Sequence, residues 1–365
     1  MRFSRAALSL TAVMLAGIAA APPQRPRATK LLSPTFFPGW QARGVFHPFV
    51  LYDARKARYT MYYSGKGTVQ ISDAVSDTWA TGVVTSKNGR DWDFPDDYEP
   101  VLLPRRFVEG DIVDREQASA VFDSLFAFGA CVVKDGAGFR MWYTGWNGDT
   151  SAPDAEGRSR RVHFRIGLAS SRDGLSWTKQ VGGTGGGAVL SLGAAGQPDA
   201  ESAAHPHVLA EAGKYRMWYE CDDGQLRRIC AAKSGDGLAW TKQGIVLEPG
   251  GAGSPDERGV GNPVVIRRKG RYELWYEGTS REAPSSRVLR ATSPDGTVWT
   301  KAGEVALHPQ PPVSGDEAVH VDSILVKADG ACQVFFAKEI TTTRNLAYGN
   351  VASKSFHIYS ETVSP

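Results

Sequence analysis

Ser171-Arg172-Asp173-Gly174-Leu175-Ser176-Trp177 is one of four copies of a short phrase, Ser-x-Asp/Asn-Gly-x-x-Trp. The others run from Ser86 to Trp92, Ser234 to Trp240 and Ser293 to Trp299. Each copy follows an aromatic run: Tyr59 to Tyr63, Phe139 to Tyr143, Tyr215 to Tyr219 and Tyr272 to Tyr276. Cys332-Gln333-Val334-Phe335-Phe336 is a fifth, degenerate copy of that run. Repeats spaced by tens of residues signal a solenoid, a propeller or an array. Five aromatic strands, each opening a hairpin, predict an all-β, five-bladed β-propeller with four-stranded antiparallel blades around a central channel.

One blade shows the expected order. Pro206 to Ala210 reads as the innermost strand, Tyr215 to Glu220 as the second and Arg228 to Ala232 as the third. Gly237 to Lys242 leads into the outermost strand. Gly167 to Ser170 and Val288 to Ala291 are third strands of other blades. The repeated phrase links strands three and four. Its Asp-Gly or Asn-Gly supplies the left-handed backbone of a tight hairpin, and the Ser and Asp side chains can bond the turn's own amides. The fifth blade is expected from about Asp322 to Ser360, with Ala347 to Ser353 as its third strand and Lys30 to Phe37 as a candidate closing partner.

The 365 residues divide into a targeting segment (1–21), an extension (22–43) and one propeller body (44–360). Forty glycines and twenty-one prolines suit many short strands and tight turns. A formal charge of +3 gives no case for nucleic acid or a membrane surface as partner. Arg2 and Arg5 precede an apolar run from Ala6 to Ala21, the layout of a secretory signal and too short to span a bilayer comfortably. Export into the secretory pathway, with no lasting membrane insertion, is the expected location; a plastid presequence is the alternative. Cys221 and Cys230 flank a hairpin and can pair in an oxidising compartment, whereas Cys131 and Cys332 sit in apolar strands as buried thiols. No spacing suggests structural zinc.

The repeat also fixes a register at the channel. An acidic residue stands six positions before a marked position in four blades: Asp123 before Gly129, Asp199 before His205, Asp256 before Asn262 and Asp316 before Asp322. Gln41 precedes His47 in the first blade. Innermost strands surround the axis of a propeller. The predicted axial ring is therefore His47, Gly129, His205, Asn262 and Asp322.

The aromatic strands, Ile166-Gly167-Leu168-Ala169-Ser170-Ser171 and the Ser-x-Asp-Gly-x-x-Trp turn together resemble the arabinanase/levansucrase/invertase superfamily, from about Gly44 to Ser353. The turn itself looks like the Asp-box of sialidase-type propellers, shortened by one residue. The superfamily includes five-bladed glycoside hydrolases of families 43, 32, 62 and 68 and the mannoside phosphorylases of family 130. The resemblance implies an Asp in the first blade as base or nucleophile, an Asp in the second that tunes, and a Glu in the third as acid. His47, Gly129 and His205 stand at those places, so all three depart from the pattern. Glu220-Cys221 echoes the Glu-Cys pair of invertases, but it ends a second strand rather than lying on an inner one.

Three functional readings follow. The first is a glycosidase-like protein binding or hydrolysing a glycan at the axial mouth, with Asp322, Asp199, Glu201, Asp256, Glu257 and Asp123 as candidate acid/base carboxylates. The Asp316-Glu317 pair belongs to the same rim set. His47, His205, His207, Asn262, His320, Trp146 and Trp40 are candidate substrate contacts, the tryptophans by stacking on sugar faces. The second is a metal-dependent enzyme in which His47, His205 and Asp322 hold calcium or a transition metal; the resemblance implies a channel cation in some arabinanases. The third is a non-catalytic glycan-binding propeller. The insertion from Arg105 to Ala120 is a candidate lid.

Overall fold

The computed structural model describes residues 28–34, 39–71, 74–96, 99–105, 120–136, 138–151, 161–281, 286–309, 318–346 and 349–364. The targeting segment, most of the candidate lid, and Asp316 and Glu317 lie outside them.

The described residues form a five-bladed propeller. Blade one contains β1's downstream neighbours β2 (Gly44–Asp53), β3 (Arg58–Ile71) and β4 (Ala74–Ser86); β1 itself is Thr29–Leu32. Its outer edge is completed by bridges from Thr81 to Leu102 and Thr85 to Asp93. Blade two is β5 (Phe126–Asp135), β6 (Gly138–Trp146), β7 (Arg165–Ser171) and β8 (Thr178–Gln180). Blade three is β9 (Ser202–Glu211), β10 (Lys214–Asp222), β11 (Arg227–Ser234) and β12 (Thr241–Leu247). Blade four is β13 (Gly259–Arg268), β14 (Arg271–Thr279), β15 (Arg287–Ser293) and β16 (Thr300–Glu304). Blade five orders β17 (Val319–Val326), β18 (Cys332–Leu346), β19 (Gly349–Val363) and, outermost, β1.

Ring closure therefore uses the start of the described chain: Thr29 pairs with Ser360 and Lys30 with Tyr359. The closing segment is Thr29–Leu32, which overlaps the expected partner at Lys30 to Leu32. The expected third strand of blade five is corrected. The strand runs from Gly349 to Val363, and Tyr359, facing Phe336, marks the part inside the blade. Each inner strand touches the next around the axis, β2 to β5, β9, β13, β17 and back to β2.

The repeated turn is scaffold. In blade two Ser171 Oγ accepts the Gly174 N–H at 2.8 Å, and Asp173 Oδ1 accepts those of Leu175 and Ser176, both at 2.8 Å. Gly89, Gly174, Gly237 and Gly296 all have positive φ, 71–80°, where a side chain would be strained. Three of the four turns also receive the preceding blade. Tyr62 Oη donates to the Gly174 carbonyl at 2.9 Å, Trp142 Nε1 to Gly237 at 3.0 Å and Trp218 Nε1 to Gly296 at 3.0 Å. Blade five lacks the turn phrase in its sequence, and Trp275 Nε1, next in the series, is buried without a partner among the described residues.

A second repeated device ties each loop to its blade. The carboxylates six residues before the ring each accept the hydroxyl of the tyrosine that closes the aromatic run: Tyr143 on Asp123 at 2.8 Å, Tyr219 on Asp199 at 2.9 Å and Tyr276 on Asp256 at 3.1 Å. A lysine from the outermost strand pairs with each, Lys179, Lys242 and Lys301 respectively. In blade one Tyr63 donates to Gln41 Oε1 at 2.6 Å. All four acceptors are buried.

Candidate functional site: a cleft at the axial mouth

The marked positions do face the axis, and the backbone shows how. His47, His205 and Asn262 have φ of 47°, 49° and 45°, and Gly129 has 62°. Three non-glycine residues thus occupy the left-handed region, at bulges where the inner strand loses register with the second. Such strain persists where surrounding structure over-determines it, and it clusters at functional sites. Three of the four bulges are held from the preceding blade: Ser64 Oγ accepts the Gly129 N–H at 2.9 Å, Thr144 Oγ1 that of His205 at 2.9 Å, and Glu220 Oε2 that of Asn262 at 3.1 Å.

Asp322 lines the same axial constriction but does not share this backbone geometry. Val321 and Ser323 stay paired to Phe336 and Phe335, so only one residue is squeezed out. Asp322 is that residue. Ser323 plays the part of Cys131 and His207: its Oγ accepts the Val50 N–H at 3.0 Å, as Cys131 Sγ accepts that of Val208 at 3.2 Å and His207 Nδ1 that of Val265 at 3.4 Å. The carboxyl of Asp322 instead turns to blade four, where Oδ1 accepts from Asn262 Nδ2 at 3.1 Å.

Above the ring lies a cleft of 340 Å³ with two unlike sides. Phe46, Trp79, Phe128, Phe164 and Phe356 form an aromatic wall. Its rings pack edge to face, Phe46 on Trp79 at 5.1 Å and Phe128 on Phe164 at 5.5 Å. Glu220 and Arg227 of blade three, Asn262 and Glu277 of blade four and His320 of blade five form the polar side. Asn262 Nδ2 donates to Glu277 Oε1 at 2.7 Å, and the same oxygen meets His320 Nδ1 at 2.8 Å. Arg227 Nη1 stands 3.6 Å from Glu220 Oε1. Beneath, a constriction bounded by His47, His205, His207 and Asp322 holds only about 20 Å³, roughly the space of one water.

Charge follows burial and partners. Burial pushes the Glu277 carboxyl up, but the charge and hydrogen bond of His320, with Arg227 and Asn262 Nδ2, outweigh it and hold the group below the usual range. His320 is pushed down by burial and more strongly up by Glu277, reaching about 9. At neutral pH this pair is carboxylate and imidazolium. Burial raises Asp322 well above an ordinary carboxyl, and its Oδ2 has no partner among the described residues. Burial keeps His47 and His205 neutral and lowers His207 to about 4.

The remaining sequence candidates fall elsewhere. Asp123, Asp199 and Asp256 are the buried loop anchors described above. Glu257 accepts the N–H groups of Gly253 and Arg281 in an outer loop. Glu201 meets His163 Nε2 at 2.9 Å, and Nδ1 of that ring lies 3.1 Å from Asp149. Trp40 is buried against Tyr63, with ring centroids 5.7 Å apart, and fills blade one as Phe122 fills blade two. Trp146 packs on Phe126 at 4.8 Å and donates to the Asp149 carbonyl at 2.7 Å, extending the aromatic wall from behind. His47 and His205 come together, with ring centroids 4.9 Å apart, and their Nδ1 atoms flank the space above Gly129. Asp322 lines the same constriction, but among the described residues no three His, Cys, Asp or Glu groups are placed to hold a metal ion. The donor set predicted for calcium or a transition metal thus does not fit.

Sequence reasoning missed Glu277 and set Glu220 aside. A signal was present: the residue after the closing tyrosine of each aromatic run is Ser64, Thr144, Glu220 and Glu277 in blades one to four, and Ala337 follows Phe336 in blade five. Two hydroxyls give way to two carboxylates at one repeated position.

The fold is that of the five-bladed glycoside hydrolase propellers. A solved member of the family 130 mannoside phosphorylases and related glycoside hydrolases, described as targeting β-1,2 mannosidic linkages in Candida mannan, superposes with a TM-score of 0.60 at 16% identity, covering 95% of this chain and 98% of that one. A protein solved as an RGII complex gives 0.63 at 17% identity, covering 94% and 92%. A family 117 glycoside hydrolase from Zobellia galactanivorans gives 0.58 at 14% identity, covering 92% and 89%. No family model matches the chain. Two curated relatives from strains of Mycobacterium tuberculosis, both uncharacterized proteins, are 34% identical over 154 residues, 40% of this chain. The match spans 44% of the relatives' own length.

Proposed function

We propose that this chain is a carbohydrate-active protein of glycoside hydrolase type that takes a glycan into the axial cleft. The observation that carries the reading is the pairing, in one 340 Å³ cleft, of an aromatic wall with two carboxylates and a guanidinium. The volume sits at the small end of ligand pockets, roughly 300–1,000 Å³, and suits one or two sugar rings. Sugar C–H faces dock on Trp79 and its neighbours, and hydroxyls meet Glu220, Arg227 and Glu277. Hydrolysis needs one proton donor and one base or nucleophile across the glycosidic bond. Glu277, held ionised, is assigned the second role. Glu220, from the neighbouring blade, is assigned the proton transfer. The Cys221–Cys230 disulfide supports export to an oxidising compartment.

The test is a glycan array read for both retention and release of reducing ends, with wild type, Glu220→Gln and Glu277→Gln. Cleavage by wild type, lost in both variants while retention persists, is the expected result. Retention without cleavage would favour the non-catalytic glycan-binding reading. Neither retention nor cleavage would sink both.

A further inference from the structure

The charges lining the cleft are not symmetrically satisfied. Going round the ring, blade one lies across the axis from blades three and four. Those two blades bring both carboxyl groups, Glu220 and Glu277, and each has a cation beside it, Arg227 and His320. Blade one brings Lys66, which also lines the cleft. Its ammonium stands over the Trp79 ring, 5.4 Å from the centroid. Lys66 is half-buried, and none of the described carboxylates forms an ion pair with it. A cation over an aromatic face gains about 0.5–2 kcal/mol, less than a charge-assisted bond to an anion would add in the same place.

We infer that the cleft selects an anionic sugar, one carrying a carboxylate or a sulfate ester, and that Lys66 receives the anionic group. This rests on the glycan reading above. The ring of such a sugar lies against the aromatic wall with its acidic substituent toward Lys66 of blade one, and its hydroxyls reach Glu220 and Glu277 on the far side. The reverse orientation would put like charges together, which disfavours it.

Binding would be measured by calorimetry with matched oligosaccharides: a neutral set, a uronate set and a sulfated set. Wild type should bind one acidic set about tenfold or more tighter than the neutral set, the scale of one charge-assisted contact. Whichever acidic set shows the gain identifies the anion. The gain should shrink as salt rises and vanish in Lys66→Met, while neutral-sugar binding stays unchanged. Equal binding of acidic and neutral sets, or a gain that survives Lys66→Met, would overturn the inference and leave the glycan reading standing. Binding of none of the three sets would overturn both.

Discussion

Blades two and three are built on one plan and differ where it matters. In both, a tyrosine at the end of the second strand reaches a buried aspartate that also takes a lysine from the outer strand. In both, the next side chain reaches forward to the backbone N–H of a left-handed residue in the following blade. Blade two does this with Thr144 and blade three with Glu220. The hydroxyl uses its acceptor capacity on the latch and carries no charge. The carboxylate has a second oxygen left for the cleft, with Arg227 near it. A structural latch thus becomes a chemical group by one substitution in a repeated position.

The largest expected effect comes from undoing that substitution. Glu220→Thr should leave a folded propeller, because Thr144 already does the same latching in blade two, yet cut glycan turnover by on the order of 100-fold or more, the usual contribution of an acid/base group. Loss of folding, read by circular dichroism, would break the comparison. Asp199→Ala addresses the shared part of the plan. It leaves the Tyr219 hydroxyl and the Lys242 ammonium without their buried acceptor, and chemical denaturation should show a loss of about 3 kcal/mol, typical of one partner removed from a buried pair. The same mutation at an exposed pair such as Arg287–Glu304 should cost well under about 1 kcal/mol.

Stability should also depend on pH with two limbs. His47, His205 and His207 have folded pKa values lowered by burial, so their contribution is complete above the unfolded value of about 6.5 and is lost as pH falls toward about 4, the His207 value. His320 is raised to about 9, so its contribution is complete below that same unfolded value and is lost as pH rises through about 9. Melting temperature should peak between the two limbs, and His320→Gln should flatten the alkaline limb alone. The smallest effect sharpens the comparison at the blade junctions. Trp218→Phe removes a bond to Gly296, whereas Trp275→Phe removes an N–H that has no partner among the described residues. The first should cost about 1 kcal/mol more than the second.

The fold was legible because its marks are local. A Ser-x-Asp-Gly-x-x-Trp turn is specified by seven consecutive residues, and the left-handed Gly174 could be foreseen from them. The ring positions His47, Gly129, His205 and Asn262 were legible too, since the repeat counts residues from one anchor to the next. Counting failed in blade five, where the bulge absorbs one residue instead of two and nothing in the sequence says so. The proposed site lies apart from the expected one for a related reason. The resemblance places catalytic acids on inner strands. Glu220 and Glu277 stand at the ends of second strands and reach the axis only because the following bulge opens space beside them. The anchors Asp123, Asp199 and Asp256 look like a regularly spaced acidic set for the opposite reason: a repeated structural need produces a repeated acid.

The pairing of Thr29–Leu32 with the outer face of β19 joins segments more than three hundred residues apart in sequence. β1 is made first and has no strand partner until β19 follows, and until the two meet blade five presents an open strand edge, the kind of surface that recruits other chains. Contacts of such separation slow folding and reward the chain only at the end. The last blade is therefore a checkpoint for the whole ring. A defect in the first strand would surface far from where it was made, as aggregation through blade five rather than as a flaw in blade one.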